Sequence, residues 1–507
     1  MHNVPGSSRR LRFLVTGAVL ITPLVAAASN AAAAGCPDTT YTRRFTDLPA
    51  LDADLGDLQS LAAAMTPSEV TTLTPRGTDA QENLAIPAGY TYFAQFVDHD
   101  ITSMNNATDD LVVDLSTPHD PTELLNERTP ALDLDSLYGG GPAADPQLYE
   151  TDGVRLLSGR ALTGSPDTGA TDLPRDAEGV AIVGDERNDE NRMVGGIHAM
   201  FIRLHNDTVD RLTARHPAWS AARLFDTARF QVVTAYQGVV ARDLIPRLAG
   251  ADTWRRAVDA QRLRGASSPC DALSVEFAVA AYRLGHSMVR DEYRLNQSMA
   301  ALPVFSGTFQ PGSDLAGFSP APDGFAIDWS LLLPGLGAQR RDVQWSYKMD
   351  ASLTSSLSLL PLPPTSIGTA GLALRNLARG VQIGLPSGQD VARALGMQPL
   401  AGDRLFLGAA TGNPDDVTTV AQVAPALADA TPLWTYLLAE AASTSLRVRN
   451  GEVVGAAPAM RLGPVGARLV ADAFASLLAE SPALARNARG PVTLSGLFAR
   501  GLQGTGV

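Results

Sequence analysis

Apolar residues in this chain return at every third or fourth position, and that periodicity limits its possible folds more than any other feature. Across residues 195–215, Ile197, Met200, Phe201 and Leu204 fall on one helical face. The stripe resumes at Leu212, with Thr208 as its one polar member and Val209 at its edge. Residues 273–289 and 466–480 carry the same pattern, while no long two-residue alternation recurs and no segment repeats. Gly/Pro-rich stretches at 161–180, 303–325, 360–366 and 408–416 read as loops. The expectation is a mostly α-helical chain with long loops and little β structure. With 507 residues, 45% of them hydrophobic, it is long enough for a large core.

The first residues read as a targeting segment rather than as part of that core. Arg9, Arg10 and Arg12 precede an apolar stretch from Phe13 to Ala27, and the small-residue run Ala31 to Ala34 follows. That order is the order of a secretory signal peptide. Ser8-Arg9-Arg10 also matches, in part, the start of a twin-arginine signal, although Arg12 departs from that pattern. Cys36 follows Ala-Ala-Gly, a poor lipoprotein cleavage site. The expected organisation is a signal over 1–34, an N-terminal arm over 35–75 and one large domain over 76–507. No other segment is long and apolar enough to span a bilayer. A formal charge of −13 argues against nucleic acid or an anionic membrane as partner. Cys36 and Cys270 are the only cysteines, so an oxidising compartment would permit one disulfide or leave two thiols.

Seven histidines occur, few enough to weigh one by one. His2 falls in the signal, and His119 and His216 neighbour prolines in polar surroundings. His198 and His205, seven apart on the long helix, read as structural histidines ahead of a ligand pair. His99 shares a helical face with Gln95 and Asp98, which suggests either a polar pocket in an apolar shell or an acid-capped helix end. His286 follows Gly285 on an otherwise apolar helix. It could approach a flat ligand closely or be a core histidine bonded to a carbonyl.

Two polar segments complete the candidates. The run from Gly184 to Asn191 places Arg187 and Glu190 one helical turn apart, immediately before the long helix. In Thr129-Pro-Ala-Leu-Asp-Leu-Asp135, an extended backbone would point Thr129, Asp133 and Asp135 to one side, with the Ala131 carbonyl nearby. Hard oxygen donors clustered so suit Ca²⁺, and Asp100 could add another.

The order of these segments resembles the animal-type haem peroxidase family over roughly residues 75–480. The matching stretches are Gln95 to Asp100, Arg128 to Gly139, Gly184 to Glu190, His198 to Asn206, Tyr282 to His286, Leu374 to Gly380 with Gly384-Leu-Pro-Ser, and Gly463 to Arg468. The resemblance implies a secreted enzyme with haem b that reduces hydrogen peroxide and oxidises small donors such as bromide, iodide, thiocyanate or phenols. It makes His99 the distal base, Arg187 the distal arginine and Gln95 a distal-pocket residue. It makes His286 the proximal iron ligand, with Asn376 accepting the other ring N–H and Arg283 facing a haem propionate. Asp98 and Glu190 match the carboxylates that form haem esters in this family. Asp100, Thr129, Ala131, Asp133 and Asp135 match its calcium loop. Asn191 stands where the chloride-oxidising member has a methionine bonded to haem, so neither that link nor chloride oxidation is expected. Val381-Gln382-Ile383 also departs from the charged residues usual after Asn376. A fatty-acid dioxygenase of the same fold is the alternative enzyme. It would carry a radical-forming tyrosine at the position of Arg283, and Tyr282 is one residue off. A haem-free, calcium-stabilised binding module is the non-enzymatic alternative.

Overall fold

The helical periodicity is realised in helices whether or not a side chain caps their start. In a computed structural model, which describes residues 40–66, 79–104, 120, 123–264, 273–308, 310–360, 371–484 and 492–507, nine helices of nine or more residues occur. They are α1 (Leu55–Ala64), α2 (Ala88–Ile101), α3 (Arg192–Arg215), α4 (Ala221–Val239), α5 (Ala251–Arg264), α6 (Leu372–Gln382), α7 (Leu433–Ser445), α8 (Pro464–Leu477) and α9 (Leu494–Leu502). The proposed signal, both cysteines and His119 lie outside the described residues. Residues 40–66, expected as an arm, pack back onto the main body: Arg43 donates to the carbonyls of Ile383 (2.5 Å) and Gly384 (2.9 Å). Among the described residues no helix is long and apolar enough to cross a membrane.

Helix α3 shows how the pattern becomes packing. The Asn191 side chain caps its start, accepting from the amides of Met193 and Val194. Ile197, Met200, Phe201 and Leu204 are all buried, as are Thr208 and Val209. Thr208 satisfies its hydroxyl on the Leu204 carbonyl at 2.6 Å. Phe201 stacks on Phe96 of α2 at 5.0 Å, and Tyr236 of α4 stands edge-on to Phe93 and Phe96 at 6.0 and 6.3 Å. These rings lock α2, α3 and α4 together behind the segment that carries His99.

The β structure among the described residues is four antiparallel pairs of short strands. One pair joins Glu82–Pro87 to Trp345–Tyr347, far apart in sequence. Buried Arg290 braces it, donating to Glu82 at 3.1 Å and to the Trp345 carbonyl at 3.1 Å.

Two local expectations need correction. Residues 273–289 are not a regular α-helix: Glu276–Ala280 is a π turn and Ala281–Met288 a 3₁₀ run. Ala280, at φ −123° and ψ −66°, marks the change of register, where Arg283 Nε donates to the Ala278 carbonyl at 3.0 Å. Side-chain capture of a carbonyl gives the ladder somewhere to change step. The Thr129–Asp135 segment is likewise not extended. The Ala131 amide turns back onto the Thr129 carbonyl (2.7 Å), Leu134 is left-handed at φ 60°, and Asp135 opens a single helical turn.

Candidate functional site

The final turns of α2, the short turn before α3, the 3₁₀ run and α6 surround one cavity of about 710 Å³. Gln95, Asp98, His99, Arg187, Glu190, Arg283, His286 and Asn376 all line it. The expected pocket residues are therefore brought together, whereas His198 and His205 are not among them. His198 is buried edge-on to Phe96, and His205 is held between the Tyr138 hydroxyl (3.0 Å) and the Val154 carbonyl (2.9 Å). His216 is exposed and stacks on Trp219.

His99 sits in the last turn of α2, 4% exposed, with Nδ1 against Asn188 Oδ1 at 3.0 Å. Burial, and then the Arg187 charge, pull its pKa down to about 4, so the ring is neutral at neutral pH. Arg187 is anchored by Asp185, which accepts from its Nε at 2.9 Å and its Nη2 at 2.7 Å. Its Nη2 also reaches the Thr102 carbonyl at 2.6 Å. Burial would raise the Asp185 carboxyl, but Arg187 outweighs it and holds the group down at about 2. Arg128 leans on the same carboxylate at 3.6 Å and on Asp135 of the acidic loop at 3.7 Å. A chain of charges thus runs from Asp135 through Arg128 and Asp185 to Arg187.

Among the carboxylates that line the cavity are the two expected ones, Asp98 and Glu190. Asp98 accepts from the Thr102 hydroxyl at 3.0 Å and lies 3.4 Å from Arg283. Arg283, expected beside a propionate, is in this structure paired with Asp98. Glu190 accepts from Gln95 Nε2 at 2.7 Å; burial raises its pKa to about 7, against the pull of Arg187 and Arg283. Asn191 completes the row by donating to Gln95 Oε1 at 3.1 Å. A strap from 315 to 319 clamps this turn. Gly317 and Phe318 donate to the carbonyls of Glu190 (2.9 Å) and Asp189 (2.8 Å), and Arg192 donates to that of Leu315.

On the other histidine, His286 Nδ1 meets Asn376 Nδ2 at 2.9 Å. The amide nitrogen, rather than the expected oxygen, faces the ring, so in this structure Asn376 donates. A metal on Nε2 would require Nδ1–H and hence the amide turned by half a revolution about its last torsion. Trp434 stands edge-on to His286 at 6.5 Å and donates to the Arg283 carbonyl at 3.3 Å.

The cavity fits a haem on three counts. Its volume suits a large flat ligand. A Cβ added to Gly285, beside His286, would meet nothing within 4 Å. Neutral imidazoles line it, His286 being held down at about 3 by burial and then by Arg283.

The acidic loop fits a cation. Asp100, Asp133 and Asp135 bring carboxylate oxygens within 4.8 Å of one another. The Thr129 hydroxyl lies 2.9 Å from Asp133 and 3.1 Å from Asp135, with Ala131 in the turn between. Among the described residues neither oxygen of buried Asp100 closes a hydrogen bond, although the Leu134 amide and Tyr236 hydroxyl lie near. Burial, and then the neighbouring carboxylates, push Asp100 well above the usual range and Asp135 to about 7. A divalent ion relieves that repulsion.

Sequence reasoning gave no role to Asn188, Asp185, Arg128 or Trp434. Asn188 and Asp185 stood inside a quoted polar run, but which of its members faces the histidine depends on the 3₁₀ turn Glu186–Asp189.

Comparison with known proteins agrees with the geometry. Residues 112–402 match the model of the animal haem peroxidase family; the matched stretch includes Arg187, His286 and Asn376 and begins after His99. Thyroid peroxidase of Rattus norvegicus is 28% identical over 306 residues, 55% of this chain and 31% of that protein. The chain thus spans about a third of the length of that relative. Peroxidase A of Dictyostelium discoideum shares the fold at a TM-score of 0.53 and 16% identity, over 93% of this chain and 92% of that one. A fatty acid alpha-dioxygenase of Arabidopsis thaliana also gives 0.53 and 16%, over 90% and 74%. With its core matched over more than half its length, the chain belongs to the animal haem peroxidase family.

Proposed function

We propose that this protein reduces hydrogen peroxide at a haem held by His286 and oxidises small donors such as bromide, iodide, thiocyanate or phenols. The observation that carries the reading is the convergence of His99, Arg187 and His286 on one cavity. Haem bound there supplies iron for the two-electron reduction of peroxide. His99 takes a peroxide proton on Nε2 and passes it to the leaving oxygen. Arg187, fixed by Asp185, stabilises charge as the O–O bond breaks. Gln95 orders the pocket through Glu190 and Asn191. Asp98 and Glu190, which line the cavity, would form the ester bonds to the haem, and Asn376 would orient His286. Calcium would sit on Asp100, Thr129, Asp133, Asp135 and the Ala131 carbonyl. The basic, apolar and small-residue start supports export of the domain over 76–507.

The fatty-acid dioxygenase reading draws on the shared fold and on Tyr282, which lines the cavity. Arg283 at the expected tyrosine position, and the retained Asp98 and Glu190, favour the peroxidase. The deciding experiment is the absorption spectrum of purified protein before and after acid–organic haem extraction. A Soret band that stays with the polypeptide supports haem and its esters together. A band that is fully extracted removes the ester roles of Asp98 and Glu190. No haem uptake on reconstitution overturns the reading.

A further inference from the structure

We propose that Asn188 is a positioning residue for His99: its carboxamide oxygen accepts the ring Nδ1–H and so leaves Nε2 unprotonated toward the cavity. The inference rests on the reading of His99 as the proton acceptor for peroxide. A neutral imidazole carries one N–H, and an amide oxygen can only accept. The contact of 3.0 Å between Nδ1 and Oδ1 is a hydrogen bond only when the proton sits on Nδ1.

The rest of the local structure makes that contact rigid. Asn188 is fully buried, and its own amide donates to the Asp185 carbonyl at 3.0 Å. Asp185 caps this turn and Asn191 caps the helix after it, so the backbone is held on both sides. Among the described residues the side-chain Nδ2 of Asn188 has no hydrogen-bond partner. A buried carboxamide with its donors unmet costs stability, and an apolar side chain would fill the place more cheaply. Packing does not account for an asparagine here, whereas a neutral acceptor for His99 does.

The test is a tautomer measurement on ¹⁵N-histidine-labelled holoenzyme in its diamagnetic ferrous carbonyl form, with His99 assigned by its loss in His99→Gln. The wild type should show His99 protonated on Nδ1. Asn188→Leu should move the proton to Nε2 or mix the two forms, and slow the reaction with peroxide roughly tenfold or more. Haem content should stay unchanged. Asn188→Asp, which keeps an acceptor oxygen, should restore the Nδ1–H signature. A wild-type ring protonated on Nε2, or a tautomer that ignores Asn188→Leu, overturns the proposal. The wild-type spectrum decides the point even if the leucine variant fails to fold. If His99→Gln instead leaves the peroxide rate unchanged, the role of His99 fails, while the tautomer result still reports on Asn188.

Discussion

At the scale of single residues, the pocket is an exercise in keeping bases neutral. His99 has its pKa lowered from the ordinary 6.5 to about 4, chiefly by burial and next by Arg187. Because the folded value lies below the unfolded one, the unfolded chain binds the proton more readily and the ring stays unprotonated through the neutral range. The rate of reaction with hydrogen peroxide should be level from pH 8 to about 5 and fall below that as Nε2 takes up a proton. Stopped-flow rates with their acid limb near 6.5 would contradict this. Arg187→Ala should lower the rate by about a hundredfold or more and shift the limb upward, though not fully to 6.5, since burial is the larger cause. His99, Gln95 and Asp98 were legible in sequence because a regular helix turns spacing into a shared face. The partner of His99 was not, because Asn188 reaches it from a turn whose geometry no periodicity encodes.

At the scale of elements, the strap from 315 to 319 decides how firmly the Arg187–Glu190 turn is held. A Cβ on Gly317 would lie 1.5 Å from the Asp189 carbonyl oxygen, a backbone atom that cannot step aside. Gly317→Ala should therefore displace the strap at a cost of about 2 kcal/mol. Thermal unfolding should register this as a lower Tm, and the peroxide reaction should weaken with it. An unchanged Tm would mean that the clamp contributes nothing. Phe318, left-handed at φ 52° and half exposed at the cavity mouth, is the strained residue of the same strap. The long helix α3 could be read from its stripe and cap. The switch from π to 3₁₀ turns near His286 could not, since it depends on the Arg283 side chain reaching a carbonyl. Nor did the acidic loop announce its turn, because leucine at position 134 gives no signal for a left-handed backbone.

At the scale of the whole molecule, the acidic cluster is the clearest point of instability. Three carboxylates, two buried and one half-buried, crowd one another, so calcium should stabilise the fold by mass action, about 2.7 kcal/mol at a concentration a hundredfold above its Kd. Tm should rise with added calcium and fall with a chelator, and Asp133→Asn should blunt both changes. A Tm indifferent to chelation would remove the ion from this site. Pairings such as Glu82–Pro87 with Trp345–Tyr347 lay beyond sequence reading, because each partner is too short to announce itself. The overall helical class was legible because most of the core is buried through helix stripes. The charge chain from Asp135 through Arg128 and Asp185 to Arg187 joins the acidic loop to the cavity. Substitutions along it will consequently not add: once one link is cut, cutting the next loses little more. Four positions scattered through the sequence should thus behave as one unit, so that the effect of an exchange at any one of them depends on the other three.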